Sequence, residues 1–198
     1  MTVAGILDIA GVLVAIGALG WLHTRPTGLS PIRDAVSHYG ITPYALGYRV
    51  LTLAMAVSGV GAAFGILRFG HGRALVVVAA LVVFAAARAA ISWFPMDEPG
   101  GLVTPVGARH VILAGAAFVA LFVAAVRLGS VLSRDGTWGS WRPWLVVAEI
   151  MLGVGLVAMV VVRRVPNLRA WFGGVERFYY AGALLWLTLV GLALVIAR

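Results

Sequence analysis

Residues 75–97 read LVVVAALVVFAAARAAISWFPMD. The run has no polar/apolar alternation, and one charge, Arg88, interrupts it before Ser92. Taken from 74 to 94, it has the ~20 residues that a helix rising 1.5 Å per residue needs to cross ~30 Å of hydrocarbon. A barrel strand would be about 10 residues long and would alternate. In lipid, only a helix or a closed barrel satisfies the backbone. The run is therefore a transmembrane helix, and Pro95 stops it.

Five more runs have the same character, at 3–22, 44–67, 108–128, 143–163 and 176–197. The eight prolines fall between the runs or in a first turn: Pro26, Pro31, Pro43, Pro95, Pro99, Pro105, Pro143 and Pro166. A missing N–H costs nothing in a first turn. Trp21, Trp93 and Trp171 mark one interface, and Trp138, Trp141 and Trp144 the other. The prediction is an all-α polytopic membrane protein: one domain, residues 1–198, forming a bundle of six transmembrane helices. Gly61 and Gly65 form a G-x-x-x-G in the second run, and Ala114 and Ala117 share a face with His110; such small residues allow close helix contact.

Composition agrees. The chain is 62% hydrophobic and 11% charged, against roughly 25% charged in soluble domains. Mean hydropathy is +1.03. Net charge is +8, from 15 arginines and no lysine, with the arginines scattered one or two per loop. That pattern points to lipid headgroups and excludes nucleic acid as a partner. Arginine without lysine, on an Ala-, Val- and Gly-rich chain, fits a GC-rich bacterial genome and so a multi-pass protein of the bacterial cytoplasmic (inner) membrane. The absence of cysteine excludes disulfides, thiolate metal sites and cysteine nucleophiles. The first run lacks a basic leader, contains Asp8 and precedes no small-residue cleavage motif, so it is read as a retained helix.

Arginine counts leave orientation open. Arg49, Arg109 and Arg177 are set aside as candidate site residues. Arg25, Arg33, Arg163, Arg164 and Arg169 then stand on the side of loops 1, 3 and 5, against Arg68, Arg73, Arg127, Arg134, Arg142 and Arg198 on the other. The reading adopted is that both termini are cytoplasmic, as is usual for six-span bacterial proteins.

Loops 1, 3 and 5 emerge at the same end, and polar residues gather there. Ser37, His38 and Tyr39 precede the second span. Asp97 and Glu98 end the third, and Arg109 and His110 open the fourth. Glu176, Arg177, Tyr179 and Tyr180 open the sixth. Charges inside a span need a partner or a cavity. Arg49 and Arg88 lie within reach of this end; Asp8 and Glu149 lie nearer the other, where the bland reading is a structural ion pair and a role in transport stays open for Glu149.

Four motifs stand out: Ser37-His38-Tyr39-Gly40, Trp93-Phe94-Pro95-Met96-Asp97, Gly107-x-x-His110 and Glu176-Arg177. In a chain of this size they resemble the bacterial membrane family called domain of unknown function 998. The resemblance covers essentially the whole chain and implies a six-span bundle with these polar positions, but no activity. A more distant likeness is to six- and seven-span membrane proteins that handle lipids, including alkaline ceramidase-like metal hydrolases. Those use a Ser, an Asp and three His. Ser37 or Ser92, Asp97 and His110 match, whereas the sixth span has no His and lacks their terminal H-x-x-x-H pair.

The leading functional reading is binding or remodelling of a lipid or amphiphile headgroup at a polar site formed by loops 1, 3 and 5. Arg49, Arg88, Arg109 and Arg177 would clamp a phosphate or carboxylate. Ser37, Tyr39, Glu98, Glu176 and Tyr180 would complete the binding site, and His38, Asp97 and His110 would be acid–base groups if a reaction occurs. Three alternatives stay open: an accessory subunit of a membrane complex, a metal-dependent hydrolase with His38, His110 and Asp97 or Glu176 as ligands, and a small-solute transporter. Haem held by His38 and His110 is a fifth, and no cofactor is assigned. Membrane lipid is the expected partner, with room for a homodimer or a larger complex.

Overall fold

The computed structural model describes residues 3–69, 74–98, 100–132 and 138–196. Arg73, Arg134 and Arg198 of the charge tally, Pro99, and the last residue of the sixth expected run lie outside these. Among the described residues six α-helices follow one another: α1 Val3–His23, α2 Ala45–Phe69, α3 Leu75–Ile91, α4 Pro105–Leu132, α5 Arg142–Arg164 and α6 Phe172–Ile196. Short 3₁₀ turns, Val36–Ile41 and Pro166–Trp171, precede α2 and α6. Among the described residues no strand occurs. Five of the helices are long and apolar enough to cross a membrane; α3, with 17 residues, reaches about 26 Å, the lower end of the spanning range. The chain is a multi-pass helical membrane bundle.

α3 ends at Ile91, not 94, and α4 at Leu132, not 128; two starts differ from the expected ones for a local reason. α4 starts at Pro105, not 108, because Thr104 caps it: the Thr104 hydroxyl accepts from Gly107 N–H at 3.0 Å. α6 starts at Phe172, not 176, running through Gly173 and Gly174. Loop 1 rests on Gly173; a Cβ there would strike the Asp34 and Pro31 backbone.

Sequential helices pack side by side, and α6 returns to α1. α2 and α6 are the most buried helices. Their small residues explain it, since thin helices admit neighbours closely. Gly61 faces the α1 backbone at Ala4 and Asp8, whereas Gly65 faces Leu194 of α6, so the G-x-x-x-G pair serves two helices. α4 and α5 are the most loosely packed sequential pair. Phe122 against Gly153, and Gly129 against Arg142 and Glu149, hold them together. Both contacts lie in the half away from loops 3 and 5.

The two acids inside spans in that half each have a local partner, though Asp8 Oδ2 has none. The Ser58 hydroxyl donates to Asp8 Oδ1 at 2.5 Å, and Arg142 meets Glu149 at 2.9 Å. Trp21, Trp93 and Trp171 are exposed at one end and Trp144 at the other, but Trp138 is buried, so it packs inward and is not part of the interfacial belt.

Candidate functional site

Loop 1 is fastened to α6. Glu176 Oε2 accepts from Val36 N–H at 2.6 Å, in a buried bond between residues far apart in sequence. Arg177 donates to the Asp34 carbonyl at 2.7 Å and the Gly173 carbonyl at 3.1 Å. Its Nε–H also donates to His23 Nε2 at 2.8 Å, while His23 Nδ1–H donates to the Leu19 carbonyl. Gly174 N–H reaches Ile32 O at 2.8 Å. The Asp34 carboxylate closes the loop's own turn by accepting from Ser30 N–H at 2.7 Å.

Loop 3 is fastened to α4. Asp97 Oδ2 accepts from Thr104 N–H at 3.0 Å, and Oδ1 from the Thr104 hydroxyl at 2.6 Å. The Asp97 carboxylate occupies the space where a Cβ on Gly107 would stand, which explains why the Asp97 and Gly107 motifs belong together. One turn on, His110 Nδ1 lies 2.7 Å from the Phe94 carbonyl. A carbonyl only accepts, so Nδ1 carries the proton, and a neutral ring keeps Nε2 as its acceptor. The Ser37 hydroxyl donates to the Met96 sulfur at 3.2 Å, linking loops 1 and 3.

Among these elements lies a cavity of about 520 Å³, within the usual range for small-molecule sites. Arg33, Ser37, His38, Asp97, His110 and Glu176 line its upper part, with Arg163 and Arg169 at the rim. Below, the walls turn apolar: Val111, Ala114, Gly115, Phe118 and Val119 of α4 face Leu156, Met159 and Val160 of α5. The α4 lining runs from Gly107 to Val119, about 18 Å along the axis. Val111, Val119 and Val160 are about half exposed, so the cleft opens sideways where α4 and α5 part. Phe118 forms the floor, edge-on to Tyr179 at 4.8 Å, and its carbonyl accepts from the Tyr179 hydroxyl at 2.6 Å.

The structure thus brings Ser37, His38, Asp97, His110 and Glu176 to one cavity. The other seven sequence-derived candidates lie outside its lining. Arg49 stacks over Trp93 and Arg109 over Phe94. Arg177 holds loop 1, and Tyr39 is buried beside the His23 ring. Glu98 is exposed in loop 3. Arg88 is buried, bonded to the Tyr180 hydroxyl at 2.6 Å and the Met55 sulfur at 3.1 Å. The cations of the cavity are instead Arg33, Arg163 and Arg169, which the sequence reading treated as topology charges. Their position at the edges of loops 1 and 5, both at the polar end, was the available signal.

Chemistry is constrained by these bonds. Burial pushes His38 below the usual histidine value, an effect partly offset by Asp34 and reinforced by Arg177. Asp34 Oδ1 lies 3.4 Å from His38 Nδ1, but the alignment is not that of a hydrogen bond. The Thr104 hydroxyl, then its N–H, hold Asp97 below the ordinary carboxylate value. Ser37 donates to sulfur, Ser92, whose buried Oγ has no hydrogen-bond partner, lies outside the cavity lining, and Asp97 is engaged by Thr104, so no Ser–His–Asp relay is assembled at the cavity among the described residues. Among the described residues, no three His, Asp or Glu side chains are grouped to hold a metal ion.

No curated protein and no solved structure matches the chain. A family model described as "Protein of unknown function (DUF998)" matches residues 9–193, which include all four motifs and every residue that ties loops 1 and 3 to the bundle. The chain belongs to the DUF998 family of proteins of unknown function.

Proposed function

We propose that this membrane protein binds a lipid-like amphiphile, with its headgroup beneath loops 1 and 3 and the 3₁₀ turn before α6, and its chain between α4 and α5. One observation carries the reading: the cavity is polar and cationic at the loop end, apolar toward mid-membrane, and open sideways between two helices. A water-soluble ligand has no use for an apolar wall running from Val111 to Val119, about 12 Å of helix, and an aqueous path across the membrane needs polar groups further down. Hydrolysis has less support, because Ser37 and Asp97 are engaged elsewhere and Ser92 lies outside the cavity lining. We place the protein in a bacterial cytoplasmic membrane with both termini cytoplasmic, which puts the headgroup in the outer leaflet.

Gly115 supplies the test. A Cβ on Gly115 meets nothing within 4 Å, yet Gly115 lines the cleft. Gly115→Phe, with its Cβ clear of the bundle, is expected to fill the cleft. Native mass spectrometry of protein purified in a neutral maltoside is expected to show retained lipid on the wild type and at least tenfold less on Gly115→Phe. Equal occupancy of the two proteins refutes the cleft as the binding site.

A further inference from the structure

We infer that the headgroup taken by this cleft is anionic, a phosphate-type group seated among Arg33, Arg163 and Arg169; the inference rests on the amphiphile reading. Three segments present these cations: loop 1, the end of α5, and the 3₁₀ turn before α6. Their placement is built. The Arg163 guanidinium lies 5.1 Å over the Phe172 ring, and Arg169 Nε–H donates to the Arg163 carbonyl at 3.4 Å. Arg33 lies within the turn closed by Ser30 and Asp34, its N–H donating to Ser30 Oγ at 3.4 Å.

The nearby carboxylates do not occupy these cations. Asp34 accepts from Ser30 N–H, Asp97 from Thr104, and Glu176 from Val36 N–H. No ion pair joins any of the three arginines to an acid among the described residues. The lining holds three guanidiniums against two carboxylates, Asp97 and Glu176, a surplus of one positive charge before either histidine is counted. Guanidinium forks match phosphate and carboxylate oxygens in a bidentate way. A zwitterionic choline-type headgroup would bring a quaternary ammonium against this surplus, and a neutral glyceride would leave the forks without an acceptor. The apolar foot then requires that the anion carry a chain.

The experiment compares lysophosphatidate, lysophosphatidylcholine and monoacylglycerol of one acyl chain, together with inorganic phosphate, binding to full-length protein in maltoside micelles. The expected order has lysophosphatidate at least tenfold tighter than either chain-matched competitor, with inorganic phosphate weaker still. The preference should shrink at high salt. Arg163→Gln with Arg169→Gln, both exposed positions, should remove most of the preference while leaving monoacylglycerol unchanged, and Gly115→Phe should weaken all three amphiphiles. Equal binding of the three, still blocked by Gly115→Phe, overturns the anionic headgroup and leaves the cleft. Inorganic phosphate binding as tightly as lysophosphatidate overturns the amphiphile. Binding indifferent to Gly115→Phe, or no binding at all, overturns both readings.

Discussion

Arg88 is a guanidinium inside a membrane helix with no carboxylate in contact among the described residues. Its hydrogen bonds go to the Tyr180 hydroxyl at 2.6 Å and the Met55 sulfur at 3.1 Å, and its Nε has no partner. It also lies 5.1 Å from the Tyr180 ring. Tyr180→Phe keeps the ring and removes one hydroxyl from the cation. Hydrogen bonds to charged groups contribute about 1.5–3 kcal/mol, and sulfur is a weak substitute acceptor. The expected cost is therefore about 1.5–3 kcal/mol. At roughly 2–4 °C per kcal/mol for a chain of this length, Tm should fall by about 3–12 °C.

Arg88→Met is expected to behave differently. A buried charge replaced by an apolar side chain of similar reach is often neutral or stabilising, because the desolvation cost disappears with it. In the Arg88→Met background, Tyr180→Phe should then cost under ~0.5 kcal/mol, since separate effects would add and only a shared bond makes them interact. The seven tryptophans allow thermal unfolding in maltoside to be followed by intrinsic fluorescence. If Tyr180→Phe costs as much without Arg88 as with it, the hydroxyl serves some other group and the argument fails.

Gly107→Ala should cost about 1–3 kcal/mol by overpacking, because its methyl meets the Asp97 carboxylate; faster proteolysis at loop 3 should accompany the lower Tm. Stability should also depend on pH in two separate windows. His38 is depressed by burial, so its contribution is complete above the ordinary value of 6.5 and is lost as pH falls through its folded value; His38→Gln should abolish that loss. Asp97, depressed by Thr104, adds a second loss that begins only as pH falls below 3.8, and Thr104→Val should move it. Orientation can be read because the chain has no cysteine of its own. In intact cells an impermeant maleimide should label Leu102→Cys, at an 89% exposed position in loop 3, and reach exposed Ser140→Cys only after lysis; the reverse pattern overturns the assignment of cytoplasmic termini.

The spans were legible because hydropathy over ~20 residues is a bulk property that the bilayer itself enforces. Their ends were less so. α6 extends back through Gly173 because loop 1 rests on it, and Thr104 caps α4 only because Asp97 comes back to brace it. The polar end was legible from the parity of the loops. The assignment of cations within it was not. A helix period tells which residues share a face, but not which neighbour that face meets. Arg49 and Arg109 found aromatic rings, and Arg88 found a tyrosine. Arg33, Arg163 and Arg169, ordinary as flanking charges, border a cleft that exists because α4 and α5 separate toward loops 3 and 5. No local pattern records that separation, since it follows from where Phe122 and Gly153 hold the pair together.

This separation of frame from cleft changes how mutants should be read. Ser37, Asp97, Gly107, His110, Glu176 and Arg177 are the conspicuous motif residues, and all of them make bonds or contacts that position loops 1 and 3. Loss of function on replacing any of them reports first on whether the roof of the cavity still closes. Asp97→Asn shows the difficulty. It keeps one carbonyl to accept from Thr104 but turns an amide NH₂ toward the other donor, so a phenotype there is the expected result of a broken cap and says nothing about acid–base chemistry. Gly115, Arg163 and Arg169 make few bonds to the frame. They border the same cavity, so their replacement separates occupancy of the cleft from integrity of the fold. For this fold, the less conspicuous positions carry the more direct evidence about the ligand.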